Sequence, residues 1–433
     1  MKMSVRVLLS SMMFLEFFIW GAWYVPMWPY LMKIGFTPEQ AGLAYSTTAI
    51  AAIFSPFFVG IVADRFFSAE RLLGVLHILG GIILIVASTV TQFPAFFALL
   101  LLYTLTYMPT LALVNSISFE QMKSSEKEFP AIRVLGTIGW IVAGLIIGFG
   151  PMLFGKKTIS DTSLPMQIAG GMAVVMGLFS FALPHTPPKS IGHAIRVADI
   201  LGLKALGLMK DFSFAVFVIG SFLICIPLAF YYQSANVFLT EAGMPYATGW
   251  QTLGQFSEIF FMLLMPLAFA RFGVKKMLLI GMLAWVLRYF LFAYGGTQNQ
   301  MVYSMLFLGI LLHGICYDFF FVTGFIYVDQ KAPVDIRASA QGFITLVTQG
   351  LGMFIGNIIN GFVTGKYTVV AEAGGKIMQK NEAGQMVEVI AKGGELISRS
   401  WTAIWLFPAI MALAVMILFL FTFKNSAATR KDA

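Results

Sequence analysis

Residues 212–240 read FSFAVFVIGSFLICIPLAFYYQSANVFLT, with no acidic or basic side chain among them. A helix of about 20 apolar residues crosses a hydrocarbon core, so this run is long enough to span one. It lacks the apolar–polar alternation of a barrel strand, and a continuous run reads as a helix. Eleven similar runs surround it, at 6–32, 40–63, 71–92, 94–118, 131–154, 165–184, 246–270, 277–295, 301–328, 338–364 and 401–423. Composition agrees. Of 433 residues 59% are hydrophobic and 11% charged, whereas a soluble domain carries about 25% charged residues. Three soluble domains of ordinary size would lack the polar surface to stay dissolved, and disorder needs the opposite bias. The expected fold class is an all-α membrane protein with twelve transmembrane helices.

The first run follows Lys2 and Arg6. It continues past the length of a signal-peptide core without a small-residue cleavage site, so it reads as a retained helix. A cytoplasmic N-terminus and twelve spans return the C-terminus to the cytoplasm. On that topology eighteen of the 28 Lys and Arg residues lie inside, eight outside, and two, Arg133 and Arg288, within helices. Five of the outer eight fall in the 365–400 loop and its edge, and long loops report topology weakly. The basic excess inside accounts for the net charge of +8 without nucleic acid. The expected location is a bacterial inner membrane.

The chain divides at 185–211, a cytoplasmic linker with prolines, histidines and basic residues, into a bundle at 1–184 and another at 212–433. The halves echo each other. Asp64-Arg65-Phe66 matches Ala270-Arg271-Phe272, Phe119-Glu120-Gln121 matches Val328-Asp329-Gln330, and Ile132-Arg133 matches Ile336-Arg337. The offsets agree to within five residues. A duplicated six-helix unit gives parallel repeats related by an axis along the membrane normal. That is a secondary-transporter architecture, with its site at the midplane between the halves.

Ionisable groups at bilayer depth cost about 2.5–3.5 kcal/mol and usually face a cavity or bundle interior. Glu16, Glu258, Arg288 and Asp318 fall near the middle of their runs. Gln255 and Glu258, three apart, share a helical face. Arg133, Thr137 and Trp140 form one stripe at i, i+4 and i+7. His313 and Tyr317 are four apart, and Asp318 adjoins them. A proton-coupled carrier needs a group that binds a proton from one side and releases it to the other. Desolvation disfavours a carboxylate's charged form, which makes Glu258 and Asp318 the proton-coupling candidates. Arg133 and Arg337 also read as interfacial anchors or gate partners. His77 reads as a packing histidine, the Trp20–Tyr24 run as packing or an interfacial belt, and Cys225 and Cys316 as packing residues. The sequence has no His-Glu-x-x-His, no Gly-x-Ser-x-Gly and no Cys/His cluster. Neither an enzyme, nor a metal, nor a cofactor is expected.

The stretch Gly60-Ile-Val-Ala-Asp64-Arg65 resembles the loop signature of the major facilitator superfamily. More specifically, the chain resembles the nucleoside:proton symporters of that superfamily, the bacterial nucleoside permeases. The matching residues are Ile19-Trp20-Gly21-Ala22-Trp23, Tyr107-Met108-Pro109-Thr110 and Ile132-Arg133-Val-Leu-Gly136-Thr137-Ile-Gly139-Trp140. They continue with Ala284-Trp285-Val-Leu-Arg288, Leu291-Phe-Ala-Tyr-Gly295, Asp318-Phe319-Phe320 and Ile336-Arg337-Ala-Ser-Ala-Gln341-Gly342.

The resemblance implies nucleoside uptake by proton symport, driven by the proton gradient with no cofactor, through rocking of two six-helix bundles in a lipid bilayer. It places the substrate among Arg133, Thr137 and Trp140 on helix five, Gln255 and Glu258 on helix eight, and Tyr317 and Asp318 on helix ten. Asp64, Arg65 and Arg337 are the expected conformational or gating charges. Trp140, Tyr317 and Tyr232 are suited to stack on a base, and Gln255, Glu258 and Asp318 to bond ribose hydroxyls. The chain departs from the family where a Gln and an Asn of helix seven fall at Ala229 and Tyr232, and where a Tyr of helix ten falls at His313. These departures keep another small polar solute, a nucleobase or a sugar, as the alternative cargo. A monomer is expected to suffice.

Overall fold

The structure, a computed structural model, describes residues 2–58, 67–122, 125–154, 158–187, 203–333, 336–373, 375–380, 386–390 and 396–424. Each of the twelve apolar runs has a helical counterpart. The first half comprises α1 (Met3–Tyr24), α2 (Met27–Lys33), α3 (Pro38–Phe58), α4 (Ala69–Ala87), α5 (Phe93–Glu120), α6 (Ser125–Phe149) and α7 (Leu164–Ser180). The second comprises α8 (Phe212–Glu241), α9 (Ala247–Tyr294), α10 (Gln300–Leu311), α11 (His313–Tyr317), α12 (Thr323–Lys331), α13 (Arg337–Thr345), α14 (Met353–Lys366) and α15 (Trp401–Thr422). Among the described residues nine helical stretches are long and apolar enough to cross a membrane. Helices suit that setting because they satisfy every backbone polar group internally.

Several boundaries differ from the sequence reading, each for a local reason. The first run breaks at Val25-Pro26, where proline removes an amide donor, and α2 follows. The runs at 246–270 and 277–295 are two helices, as the sequence has them, but they abut without a loop at Gly273, whose φ of +64° and ψ of 175° are non-helical; α9 denotes both. Only glycine adopts that conformation without strain. The run at 301–328 is α10, α11, a π-helical turn Asp318–Val322 and α12 in succession. A second π segment, Leu346–Gly352, separates α13 from α14. The 365–400 loop folds locally into two antiparallel pairs. In one, β1 (Thr368–Val370) joins β4 (Leu396–Arg399); in the other, β2 (Lys376–Lys380) joins β3 (Met386–Ile390).

Buried side chains sort into two main cores. One draws on Leu9 to Leu183 with Val237, the other on Ala205 to Phe423 with Ala49. The outer faces stay apolar and exposed, as at Leu263, Leu267, Met301 and Phe421. The halves meet where glycines let backbones touch. Gly42 of α3 lies against the Asn357 carbonyl and Gly361 of α14, and Gly148 of α6 lies against Gly249 of α9. Both contacts are toward the end that carries the β-hairpins. At the opposite end Asp211 caps α8, accepting from the Phe214 amide at 3.0 Å, and pairs with Lys331 at 3.0 Å. Burial pushes its carboxyl up, but the amide and the ammonium outweigh that and hold it below the usual carboxylate range.

Candidate substrate and proton site

Between the halves lies a narrow cavity. Gly21 and Val25 of α1 and Trp140 and Gly144 of α6 line one side. Tyr231 and Tyr232 of α8 and Thr248, Gln251, Thr252 and Gln255 of α9 line the other. Of the residues singled out from the sequence, Trp140, Tyr232 and Gln255 line it directly. The others gather beside it.

On the first side glycines bring α1 and α6 together. A Cβ at Gly21 would sit 3.1 Å from the Trp140 ring, and one at Gly139 would strike the Phe14 carbonyl. Trp140 is thereby held edge-on to Trp20, with centroids 5.7 Å apart, and Trp20 meets Tyr107 at 5.9 Å. Trp20 therefore belongs to the wall behind the cavity. Because α6 starts at Ser125 rather than at 131, Arg133 lies deeper than a single turn from its end. Its guanidinium rests 4.1 Å over the Phe17 ring. Thr137 is half-buried on the same stripe.

On the second side α9 and α11 are pressed backbone to backbone. A Cβ at Gly254 would lie 3.1 Å from that of His313, and one at Gly314 would lie 2.5 Å from the Ser257 carbonyl. Ser257 Oγ donates to the Leu311 carbonyl at 2.5 Å. This contact sets His313 Nε2 3.8 Å from Glu258 Oε2. His313 stacks on Tyr231 at 5.1 Å and on Tyr317 at 6.1 Å. Arg288 donates from Nη2 to His313 Nδ1 at 3.1 Å. Asp318 opens the π-helical turn, and such turns recur at functional sites. It is fully buried, and neither carboxyl oxygen has a hydrogen-bond partner among the described residues.

Sequence reasoning found Gln255 and Glu258 but overlooked Thr248, Gln251, Thr252 and Asn236 around them. Thr248, Gln251, Thr252, Gln255 and Glu258 form a polar stripe at steps of three and four, a helical period readable in an otherwise apolar run. Asn236 donates to Thr248 Oγ1 at 2.8 Å and to Gln251 Oε1 at 2.6 Å, while its own carbonyl oxygen is buried without a partner. Ala229 faces α14 instead, against Gly356. A Gln and an Asn three apart do stand on α8 one turn further along, at Gln233 and Asn236. Gln233 turns from the cavity to bond Asn357 and Asn360. Of the expected gating charges, Asp64 and Arg65 lie outside the described residues. Arg337 begins α13, and its side chain is outside them as well.

Two repeated helical bundles meeting on a polar, aromatic cavity, with carboxyls buried at its edge, define a secondary transporter of the major facilitator type. The chain belongs to the nucleoside:H+ symporter family, whose sequence profile matches residues 1–428. Members of that family are transporters, not enzymes. YegT of Escherichia coli K12 is 48% identical over 424 residues, covering 98% of this chain and 95% of that protein. The nucleoside permease NupG of the same organism is 32% identical over 381 residues, covering 84% and 89%. The crystal structure of nucleoside transporter NupG superposes with a TM-score of 0.82 at 29% identity, covering 98% of this chain and all of that one.

Proposed function

We propose that this chain carries nucleosides inward together with protons, by alternating access, with the nucleoside in the cavity between α1/α6 and α8/α9. Trp140, Tyr232 and Tyr317 offer faces for a base. Gln251, Gln255, Glu258 and Asn236 offer donors and acceptors for ribose, with Arg133, Thr137 and His313 at the edges. The proton resides on Asp318, Glu258 or both. The observation that carries this reading is the Asp318 carboxyl, buried with two unpartnered oxygens. An ionised carboxylate without a donor is costly in such a place, and a proton removes that cost. Neutral carboxyls favour substrate entry; proton release to the opposite side returns the empty carrier. The gradient alone drives the cycle, with no cofactor. The setting we propose is a bacterial inner membrane, with both termini cytoplasmic and a monomer as the working unit.

The test is accumulation of radiolabelled uridine in vesicles under an imposed proton gradient. Competition by nucleosides, nucleobases and sugars identifies the cargo class, and a protonophore abolishes the accumulation. Asp318→Asn and Glu258→Gln are expected to remove gradient-driven accumulation at least tenfold. Intact accumulation in both variants would end the coupling assignment.

A further inference from the structure

Arg288 lies at the bottom of the second half, fully buried, and among the described residues no carboxylate pairs with it. Among the described residues its Nε and Nη1 have no hydrogen-bond partner. Its Cζ sits 3.4 Å over the Tyr231 ring and 5.4 Å from that of Trp285. Its Nη2 donates to His313 Nδ1 at 3.1 Å. A guanidinium only donates, so Nδ1 must be the accepting nitrogen. The ring proton is then on Nε2, the nitrogen that faces Glu258 at 3.8 Å. An imidazolium would set two donors against each other and is excluded by the same contact.

We infer that Arg288 is a positioning residue: it fixes His313 as the Nε2–H tautomer, so that the imidazole presents a hydrogen-bond donor to the Glu258 carboxyl. The Tyr231 ring completes the clamp, packing against both partners: the guanidinium carbon lies 3.4 Å over it and the imidazole stacks on it at 5.1 Å. The Nε2···Oε2 distance exceeds the roughly 2.9 Å of an N–H···O bond, so the donor is aimed and not yet engaged. A turn of the Glu258 side chain toward the ring closes it. This explains why a cation stands buried without an anion: it acts on a neutral ring that passes its orientation to the site.

The inference rests on Glu258 belonging to the substrate and proton site, and its test is independent of transport. Nitrogen NMR of protein labelled with 15N-histidine, with the His313 signals assigned by their loss in His313→Phe, reads the tautomer directly. The wild type is expected to show an unprotonated Nδ1 and a protonated Nε2. Arg288→Met is expected to give a mixture of tautomers and at least a tenfold loss of uptake. Arg288→Lys, which keeps a donor, restores the Nε2–H form and brings uptake to within a few-fold of wild type. A protonated Nδ1 in the wild type overturns the inference, as does an unchanged spectrum in Arg288→Met. If Arg288→Met does not fold, the wild-type spectrum decides alone. Failure of the coupling assignment would instead show as accumulation surviving in Asp318→Asn and Glu258→Gln, and it leaves the tautomer result standing.

Discussion

Glu16 and Asp318 are both carboxylic acids with no exposed surface, yet their surroundings differ in kind. Glu16 Oε2 meets His77 Nε2 at 2.8 Å, Oε1 accepts from Thr110 at 2.6 Å, and the Tyr107 hydroxyl donates to the Glu16 backbone carbonyl at 2.6 Å. Every acceptor is used, and the group ties α1, α4 and α5 together. Asp318 has no such partner among the described residues, which is the ground for proposing that a proton resides on it. The sequence marked both residues as lying at depth, because depth follows from position in an apolar run. It also marked His77 as a packing histidine, which its pairing with Glu16 fits. The choice of partner comes from which helices touch, and residue spacing does not report that. Breaking a buried pair by removing one member costs about 3–5 kcal/mol, because the other is left uncompensated. Glu16→Leu is therefore expected to lower the thermal unfolding midpoint of the purified protein far more than Glu16→Gln, which keeps an acceptor for Thr110. Midpoints at the wild-type value in both variants would show that the Glu16–His77 contact does not hold the first half together.

At the scale of elements, the helices were legible and the interruptions within a run were not. Continuous apolar runs announced each span. The break at Gly273 fell between two runs the sequence had separated, whereas the π turns at Asp318 and Leu346 depend on backbone pairing within the bundle, which composition does not encode. Gln233 and Asn236 on α8 are a similar case: the residue types were visible, while which of them turns to α9 and which to α14 needed the packed helices. Glycines control how close the site elements come. Gly314 lies directly against the Ser257 carbonyl and the Glu258 amide, whereas Gly171 of α7 has nothing within 4 Å of an added Cβ. Gly314→Leu should therefore push α11 from α9, part His313 from Glu258 and abolish uptake in the vesicle assay. Gly171→Ala should leave uptake at the wild-type level and add up to about 1 kcal/mol of helix stability. Normal uptake in Gly314→Leu would show that the α9–α11 contact is not required for the site.

The whole molecule was legible through its repeat. Three short matches at nearly constant offset announced two like halves, and a cavity lies between two such halves in the structure. What the repeat did not announce is where the halves are closed. In this structure they seal toward the hairpin end, through Gly42 against Gly361 and Gly148 against Gly249, and Tyr24 meets Tyr232 across the same seam at 5.8 Å. Alternating access requires that seam to open. A bulky side chain in it raises the energy of the sealed state relative to the open one, and so shifts the population. Gly148→Leu with Gly361→Leu is therefore expected to favour the conformation open at the hairpin end. The reporter is a cysteine at Val25, which lines the cavity on α1. The native Cys225 and Cys316 are fully buried and give little background. A membrane-impermeant maleimide applied to the hairpin face should label Val25→Cys several-fold faster in the double-leucine background, while net uridine accumulation falls. Labelling at the unaltered rate would mean that these glycine contacts are ordinary helix packing and that the molecule opens along a different seam.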